Sequence, residues 1–378
     1  MDWEVVEDLA GLERVRKDWE ELLCRHGGPL HFFQHPDFVM TWWCCFEARR
    51  EVELRVILGR DSLGQLVFVW PLKLRRRGFV RVLESAGGLL TCFDDVVVDE
   101  DHVTSAMHGV FALLRGSALA DAIHLRGVHE DSSLALVLCD VGTCIESTTS
   151  PCIDATRYGS FERYFASRSK RFRQDHKKSL RRLEEVGSLR FTQDDRSLPI
   201  DEVVGLAMSF KERWLAKRGL SGKTIMLPEG RRFVAELCAT LRQVGGERRC
   251  EISTLRLDDT IVAVGIAFHY AGRRYEYFGA FDDRYESIGV GRVQVVESLR
   301  KSFDEDVACM DFLTPGTAFK ERIADAAPVV AQYVVALSAT GSLYRDLYVR
   351  TTRPLLKYAY RHLSALRRFG YREGSACV

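Results

Sequence analysis

The sequence predicts an α/β protein built from two halves of the same architecture, each a mixed, largely antiparallel sheet flanked by helices. Three strand-like runs at 52–59, 66–74 and 79–85 are joined by short polar turns, a pattern typical of an antiparallel meander. The same order returns at 251–257, 261–270 and 274–281. Because a helical pattern and a further strand follow in each half, the fold is predicted to be an internal duplication.

Apolar residues three and four positions apart predict the helices. In the first half they cover 12–24, a segment that starts at Pro36, and 102–115, with a strand expected at 122–126. One long helical region is predicted from 157 to 187, where Gly187 ends it. Further helices are expected at 200–217 and 229–244, and from 288–290 onward, before a buried strand at 307–313.

These patterns divide the chain into a first domain at 1–155, a second at 156–342 and a basic amphipathic tail at 343–378. In the tail, Leu355, Ala359, His362 and Leu366 line one helical face. A basic amphipathic segment of this kind is expected to contact an anionic membrane surface or to dock onto the acidic remainder of the chain.

Charge and composition exclude several classes of protein. The net charge is +1, so a protein-wide nucleic-acid surface is not expected. Positive charge is instead local: 168–182 and 343–372 each hold eight Lys or Arg and one acidic residue. No apolar run approaches the roughly 20 residues that span a bilayer, and the first residues are acidic, which favours a cytoplasmic location, peripheral to the inner face of the membrane.

Cysteine and histidine spacing argues against a disulfide framework and a metal site. The eleven cysteines form no CxxC pair, so reduced thiols in a cytoplasmic protein are expected. His31 and His35 are four residues apart but lack a third ligand in the sequence, and no bound metal is expected.

The stretch from Tyr275 to Lys320 passes from strand to glycine-containing turn to helix to strand. Its turn reads Ser287, Ile288, Gly289, Val290, Gly291, Arg292. Two glycines let the backbone approach a ligand, and the unpaired amides of a helix start suit an anion. The first half enters its helix through 99–101, Asp-Glu-Asp, which would repel a phosphate. Only the second half is therefore expected to bind a nucleotide cofactor.

This order, with GAFDDRYESIGVG followed by MDFLTPGTAFKER, resembles the acyl-CoA-binding core of GNAT acyltransferases. It is similar in particular to the two-domain GNAT-like branch that includes CelD-type and FemAB-like proteins. The resemblance implies tandem duplicated GNAT-like domains and a GNAT-type N- or O-acyltransferase. The chain departs from the usual pattern at Glu286, where Gln or Arg is common in the family.

The resemblance also implies roles for individual residues. Lys320 would stabilise the oxyanion, and Asp311 would act as base or orient the acceptor. Arg171 and Arg173 would bind the acceptor. The residues implied to bind the cofactor are Phe278, Gly279, Ala280 and Phe281 on the strand, and Ser287, Ile288, Gly289, Val290, Gly291 and Arg292 in the turn. The competing interpretations are a strand-end carboxylate, a surface lysine and a solvated basic helix face.

The function implied is transfer of an acyl group from acyl-CoA, with acetyl-CoA as the expected donor. The acceptor would be an amine or hydroxyl of a sugar, amino sugar or other cell-envelope or exopolysaccharide precursor. One alternative is an aminoacyl-tRNA-dependent FemAB-like transferase, in which tRNA would be the one nucleic-acid partner. Another is a non-catalytic scaffold of a polysaccharide-synthesis complex.

Overall fold

The computed structural model describes residues 1–220, 224–246, 248–305 and 307–356. The strands are β1 Asp2–Val6, β2 Val52–Arg60, β3 Leu66–Arg77, β4 Val80–Ser85, β5 Val97–Val98, β6 Ala122–His129, β7 Thr143–Thr149, β8 Cys152–Asp154, β9 Leu189–Thr192, β10 Arg249–Leu257, β11 Thr260–Tyr270, β12 Arg273–Phe281, β13 Cys309–Asp311 and β14 Val329–Ala336. The helices are α1 Leu9–His26, α2 Pro36–Phe46, α3 Val103–Gly116, α4 Ser133–Val141, α5 Phe161–Ser167, α6 Lys170–Glu184, α7 Ile200–Lys217, α8 Pro228–Val244, α9 Val290–Ser302, α10 Ala318–Ile323 and α11 Ala339–Leu343, which a π-helical segment, Tyr344–Thr352, continues.

The first sheet has the order β1-β2-β3-β4-β6-β14-β7, with β5 also pairing β3. β2, β3 and β4 form the predicted antiparallel meander. After the crossover through α3, β6 returns parallel to β4. The inward faces of β3 and β6 pack against α3 and α4 in one apolar cluster.

The second sheet repeats this plan with the order β8-β13-β12-β11-β10-β9. β10, β11 and β12 form an antiparallel meander. The crossover through α9 brings β13 back parallel to β12, as β6 lies parallel to β4. The predicted α/β fold, with tandem mixed sheets flanked by helices, is confirmed.

Two strands cross between the halves. β14 follows the second half in sequence but pairs with β6 and β7 in the first sheet. β8 comes from the end of the first half but pairs with β13 in the second sheet. The ranges 1–155 and 156–342 stay a prediction of domain organisation. The first sheet includes β14 from the second range, and the second sheet includes β8 from the first range.

The helical region predicted as continuous from 157 to 187 is two helices, and that prediction was wrong. α5 ends at Ser167 and α6 begins at Lys170, with Ser169 as its N-cap. The Ser169 hydroxyl accepts a hydrogen bond from the Phe172 backbone amide at 3.2 Å. A serine that satisfies the first turn in this way starts a new helix and lets the chain change direction.

The two halves share one apolar core. Phe32 stacks on Phe268, with ring centroids 5.2 Å apart, and on Tyr275, at 5.5 Å. The Tyr277 hydroxyl donates to the carbonyl of Leu90 at 2.9 Å, so a strand of the second sheet is also hydrogen-bonded to the first half. Aromatic pairs of this kind add to the burial energy and hold β12 against the first half.

The tail is described as far as residue 356. Tyr344 and Val349 are buried against Val80, Val82 and Val334 of the first sheet. The predicted apolar face beyond it, with Ala359, His362 and Leu366, lies outside the described residues. Within the described ranges, every helix is too short or too polar to cross a bilayer.

Candidate functional site

β12 and β13 separate after a short parallel pairing. Arg273, Arg274 and Tyr275 pair with Cys309–Asp311, and the pairing ends there. From 276 to 281, the edge of β12 that faces β13 has no strand partner in the described part of the chain. Tyr277 is the extra residue of a β-bulge against β11. The backbone groups on this edge are therefore available to a ligand.

Gly279 lies on this open edge. An added Cβ there would meet no atom within 4 Å. Phe278 and Ala280 point instead into the shared core, and Phe281 packs beside α9. Of the four strand residues predicted to bind the cofactor, Gly279 is the one whose Cβ position borders open space.

The turn that enters α9 depends on Gly289, whose φ of +94° lies in the left-handed region. A Cβ on Gly289 would lie 2.7 Å from the Ser179 hydroxyl of α6. The amides of Val290 and Gly291 have no acceptor in the described ranges, as expected for a helix start. A Cβ on Gly291 would lie 2.8 Å from Cδ1 of the Phe281 ring, so this glycine makes room for an aromatic side chain.

The charges around the turn are largely paired. Ser287 and Ile288 end the 3-10 turn Asp283–Ile288. Glu286 forms an ion pair with Arg218 and accepts a hydrogen bond from the Trp214 indole at 3.3 Å. Arg292 lies 3.8 Å from Asp175 of α6. The carboxylate at the position where the family usually has Gln or Arg is therefore compensated by Arg218.

Lys320 lies on α10, which Thr317 caps. Its ammonium group donates to the carbonyls of Leu313, at 3.0 Å, and Pro315, at 3.2 Å. These carbonyls belong to the turn that follows β13, so the positive charge is held just beyond the end of that strand.

Asp311 lies at the end of β13 and is 1% exposed. One carboxylate oxygen accepts from the Ser150 hydroxyl and from the Leu313 amide, both at 2.8 Å. The other lies 2.7 Å from the Arg273 guanidinium. Burial raises the pKa of Asp311, against the opposing effect of Arg273. Both oxygens are occupied, an arrangement that suits orientation of the strand end better than proton transfer.

Glu276 is a candidate that reasoning from the sequence missed. It begins the open edge of β12, and its side chain is 16% exposed. Burial raises the pKa of Glu276, and Glu251 adds to the rise, against the lowering effects of Arg274 and Lys320. Its signal in the sequence was a carboxylate within an aromatic strand.

Glu251, the second carboxylate of this cluster, titrates differently. Burial alone would raise the pKa of Glu251, but Arg274 and His269 outweigh it and lower the pKa to about 2. Arg274 is 1% exposed and serves both carboxylates. Glu251 and Glu276 thus share the Arg274 guanidinium, but the pKa of Glu251 is lowered and that of Glu276 is raised. Pairs of carboxyl groups whose pKa values are shifted in opposite directions are typical of acid–base catalytic sites.

Potential metal-ligand atoms of Glu251, His269 and Glu305 lie within 4.8 Å of one another. Arg274 and Arg249 form ion pairs with the two glutamates, at Glu251 and Glu305 respectively. These guanidinium groups occupy the carboxylates that a metal ion would need, so the cluster is better described as a network of ion pairs and hydrogen bonds.

The two predicted acceptor-binding arginines lie on α6. Arg171 is exposed, and Arg173 is half-buried. The Nε of Arg173 is buried without a hydrogen-bond partner in the described residues. α6 packs along α9, so both arginines lie on the helix beside the one that begins at Gly289.

Comparison with known proteins agrees with this geometry. Residues 170–321 match the family described as acetyltransferase (GNAT) domain. The matched range runs from α6 to α10 and includes β12, the glycine turn and α9, so this part of the chain resembles a GNAT domain. No curated protein sequence matches the chain.

Solved structures match almost the full length of the chain. FemX aligns with a TM-score of 0.61 and 9% identity, over 92% of this chain and 100% of FemX. The C-terminal domain of a putative lysylphosphatidylglycerol synthetase from Agrobacterium fabrum aligns with a TM-score of 0.51 and 12% identity, over 88% and 93%. L-PGS from Bacillus licheniformis aligns with a TM-score of 0.51 and 12% identity, over 89% of this chain and 97% of L-PGS. At such identities the likeness is one of fold, and it supports a two-domain, FemAB-type GNAT-like architecture.

Proposed function

We propose that the protein is an N- or O-acyltransferase that moves an acyl group, with acetyl as the expected group, from acyl-CoA to an amine or hydroxyl acceptor. The observation that carries the proposal is the open edge of β12 beside the glycine turn of α9. An extended ligand could add its hydrogen bonds to such an edge. The amides of Val290 and Gly291 would receive its phosphates.

The residues around this edge fit an acyl-CoA donor. Space is open beside Gly279, and the charge of Glu286 is balanced by Arg218. Gly279 and the strand backbone would hold the pantetheine arm, and Ser287 to Arg292 would hold the phosphates. The bound donor supplies an activated thioester, so the protein needs no nucleophilic side chain of its own.

Glu276 is our candidate general base. Burial raises the pKa of Glu276 and so makes its carboxylate a stronger base, whereas the bonds around Asp311 hold that carboxylate in place. Lys320 is our candidate for stabilising negative charge on the reacting carbonyl. The ammonium of Lys320 lowers the pKa of Glu276, so the two groups interact electrostatically.

The acceptor we propose is a sugar, amino sugar or other precursor of the cell envelope or of an exopolysaccharide. One fold relative is named as the C-terminal domain of a putative lysylphosphatidylglycerol synthetase. Arg171 and Arg173 would contact acidic groups of the acceptor. The tail would bring the protein to an anionic membrane surface.

Donor binding tests the proposal directly. We expect acetyl-CoA or a longer acyl-CoA to raise the melting temperature and to bind in calorimetry, with free CoA binding through the same turn. Absence of binding for every CoA ester would refute the acyl-CoA assignment and favour a scaffold.

Substitution of the base tests the mechanism. Glu276→Gln should lower kcat by about 10² to 10⁴ and leave donor affinity nearly unchanged. The rate in the parent should fall as the pH drops through the pKa of Glu276, because the protonated acid cannot accept a proton. Glu162→Gln, at an exposed site on α5, is the matched control. Normal turnover in Glu276→Gln would exclude this residue as the base.

The second candidate is an aminoacyl-tRNA-dependent transferase, favoured by the exposed basic side of α6. Arg171, Lys177, Lys178 and Arg182 are all exposed there. A phosphate backbone would bind such a surface with strong salt dependence. Filter binding with charged tRNA separates the two candidates: retention of tRNA, with no response to CoA esters, would favour this one.

A further inference from the structure

One face of the first sheet carries positive charge where the equivalent face of the second sheet is apolar. Lys73, Arg75 and Arg77 alternate along β3 and therefore share a face. Leu72 and Leu74 point the other way, into the core with α3. The corresponding central strand of the second sheet, β11, presents Ile266, Phe268 and Tyr270 to the shared core.

A cavity of about 260 Å³ lies over this charged face. Trp42 and Phe46 of α2 form an apolar wall, and Tyr344 and Tyr348 of the π-helical segment form another. Its volume is below the roughly 300–1,000 Å³ of drug-sized ligand sites. The cavity therefore suits a compact group rather than a complete nucleotide cofactor.

Part of the positive charge in the cavity is already balanced. Glu84 pairs with Arg77 at 2.8 Å and with Arg126 at 2.9 Å. Burial by itself raises the pKa of Glu84, but Arg126, Lys73 and Arg77 outweigh it and hold that pKa well below its usual range. This carboxylate is thus an anion surrounded by cations.

Three further cations of the cavity wall have no such partner. The side chains of Lys73, Arg75 and Arg353 form no hydrogen bond or salt bridge within the described ranges, and Glu84 attracts Lys73 only from beyond salt-bridge distance. Lys73 is 7% exposed, and its ammonium lies 5.2 Å from the centre of the Trp42 ring. Lysine is almost never buried without a partner, because an isolated charge is costly to desolvate.

Gly88 lies close above the ammonium of Lys73. Its φ is +58°, and an added Cβ would overlap the Lys73 amine. Gly87 and Gly88 open the 3-10 turn Gly88–Leu90, whose last residue accepts the hydrogen bond from Tyr277 of β12. The chain therefore leaves the lysine amine room at the cavity floor, on the side of the first half that adjoins the second sheet.

We propose that this cavity is a binding site for a phosphate-bearing group, with Lys73 and Arg75 as its principal ligands and Arg353 at its rim. A phosphate or diphosphate supplies the negative charge and the acceptor oxygens that three unpartnered cations lack. Guanidinium and ammonium groups are the side chains that most often bind phosphate. The site is separate from the glycine turn of α9 and requires no acyl donor.

The site is tested by binding with inorganic phosphate and pyrophosphate as probes, in calorimetry at constant ionic strength. Lys73→Met and Arg75→Met should each weaken binding by about tenfold or more, as expected for hydrogen bonds to charged groups. Arg76→Met is the matched control: Arg76 follows Arg75 on β3, is 63% exposed and pairs with Glu53 at 3.3 Å. Arg75 is half-buried, so its variant should fold even if Lys73→Met does not.

A second arm distinguishes a soluble phosphate from a lipid headgroup. Sedimentation with phosphatidylcholine vesicles, with and without phosphatidic acid, uses the same three variants. The site is supported if binding of a soluble phosphate or of phosphatidic acid vesicles falls in Lys73→Met and Arg75→Met and persists in Arg76→Met. Whichever of the two binds identifies the source of the phosphate. Binding that falls equally in all three variants or in none of them, or no binding of either probe, overturns the proposal.

Discussion

Replacing Lys73 by methionine should change the pH dependence of stability. Burial lowers the pKa of Lys73 from 10.5 to about 8, and the attraction of Glu84 offsets this only in part. A difference of this size corresponds to about 3 kcal/mol of folding free energy. The substitution keeps the length of the side chain and removes the charge. It also removes the contact with the Trp42 ring, which is worth about 0.5–2 kcal/mol.

The direction of the effect follows from the two protonation states. Below about pH 8, Lys73 is protonated in the folded and unfolded protein, and the folded state bears the full cost of the buried charge. Between pH 8 and 10.5 the folded protein releases the proton while the unfolded chain retains it, so stability rises with pH. Methionine has no proton to release, so the variant should lack this contribution.

Urea denaturation of the parent and of Lys73→Met between pH 7 and 10.5 measures the difference directly. We expect the variant to be more stable by about 1–3 kcal/mol at pH 7, and the advantage to shrink as the pH approaches 10.5. Other titrating groups are common to both proteins and cancel in the comparison. Phosphate at one hundred times the Kd of the parent should stabilise the parent by about 2.7 kcal/mol and the variant by a smaller amount. A difference that stays constant with pH, or a variant less stable at pH 7, would refute the assignment of Lys73 as a buried, unpartnered charge.

Four further predictions concern the transfer site and the tail. Lys320→Ala should lower turnover by about 10² to 10³ with little loss of donor affinity, measured by steady-state kinetics and calorimetry; an equal loss of both would indicate a binding role. Gly279→Val should leave the melting temperature in buffer nearly unchanged, because its Cβ meets open space, but should abolish the thermal shift given by acyl-CoA. Gly291→Asp should also abolish that shift, and should lose about 1–3 kcal/mol of stability because its side chain would contact Phe281. A Gly291→Asp variant as stable as the parent would contradict the packing described. Deletion of 343–378 should lower the melting temperature because it uncovers the sheet face beneath Tyr344 and Val349, and an unchanged melting temperature would show that the tail adds little to the fold.

The sequence was sufficient for the repeated plan of each half. The apolar runs at 66–74 and 261–270, bounded by short polar turns, predict the strands β3 and β11. The turn at Gly289 was also predictable, because its left-handed backbone favours glycine. These features depend on residues close together in the chain.

The tertiary structure alone decided which strands pair across the halves. β14 lies in the first sheet and β8 in the second, and neither pairing is marked in the local sequence. A strand pattern shows which residues are buried but does not name the partner strand, because pairing depends on how distant segments pack together. The break at Ser169 is a different case: a serine N-cap is a local signal, and it was overlooked within a long helical pattern.

The roles of charged residues likewise required the folded protein. Asp311 and Glu276 are both strand carboxylates in the sequence, yet one is bonded through both oxygens and the other begins an open edge. In the sequence, Lys73 is one of several basic residues near a turn, and only the folded protein brings Trp42 and Gly88 close to its amine and buries it. Local sequence determines where a charged side chain starts and which way it points. Its pKa and its partners depend on the segments that cover it, because desolvation and Coulomb interactions act through space rather than along the chain.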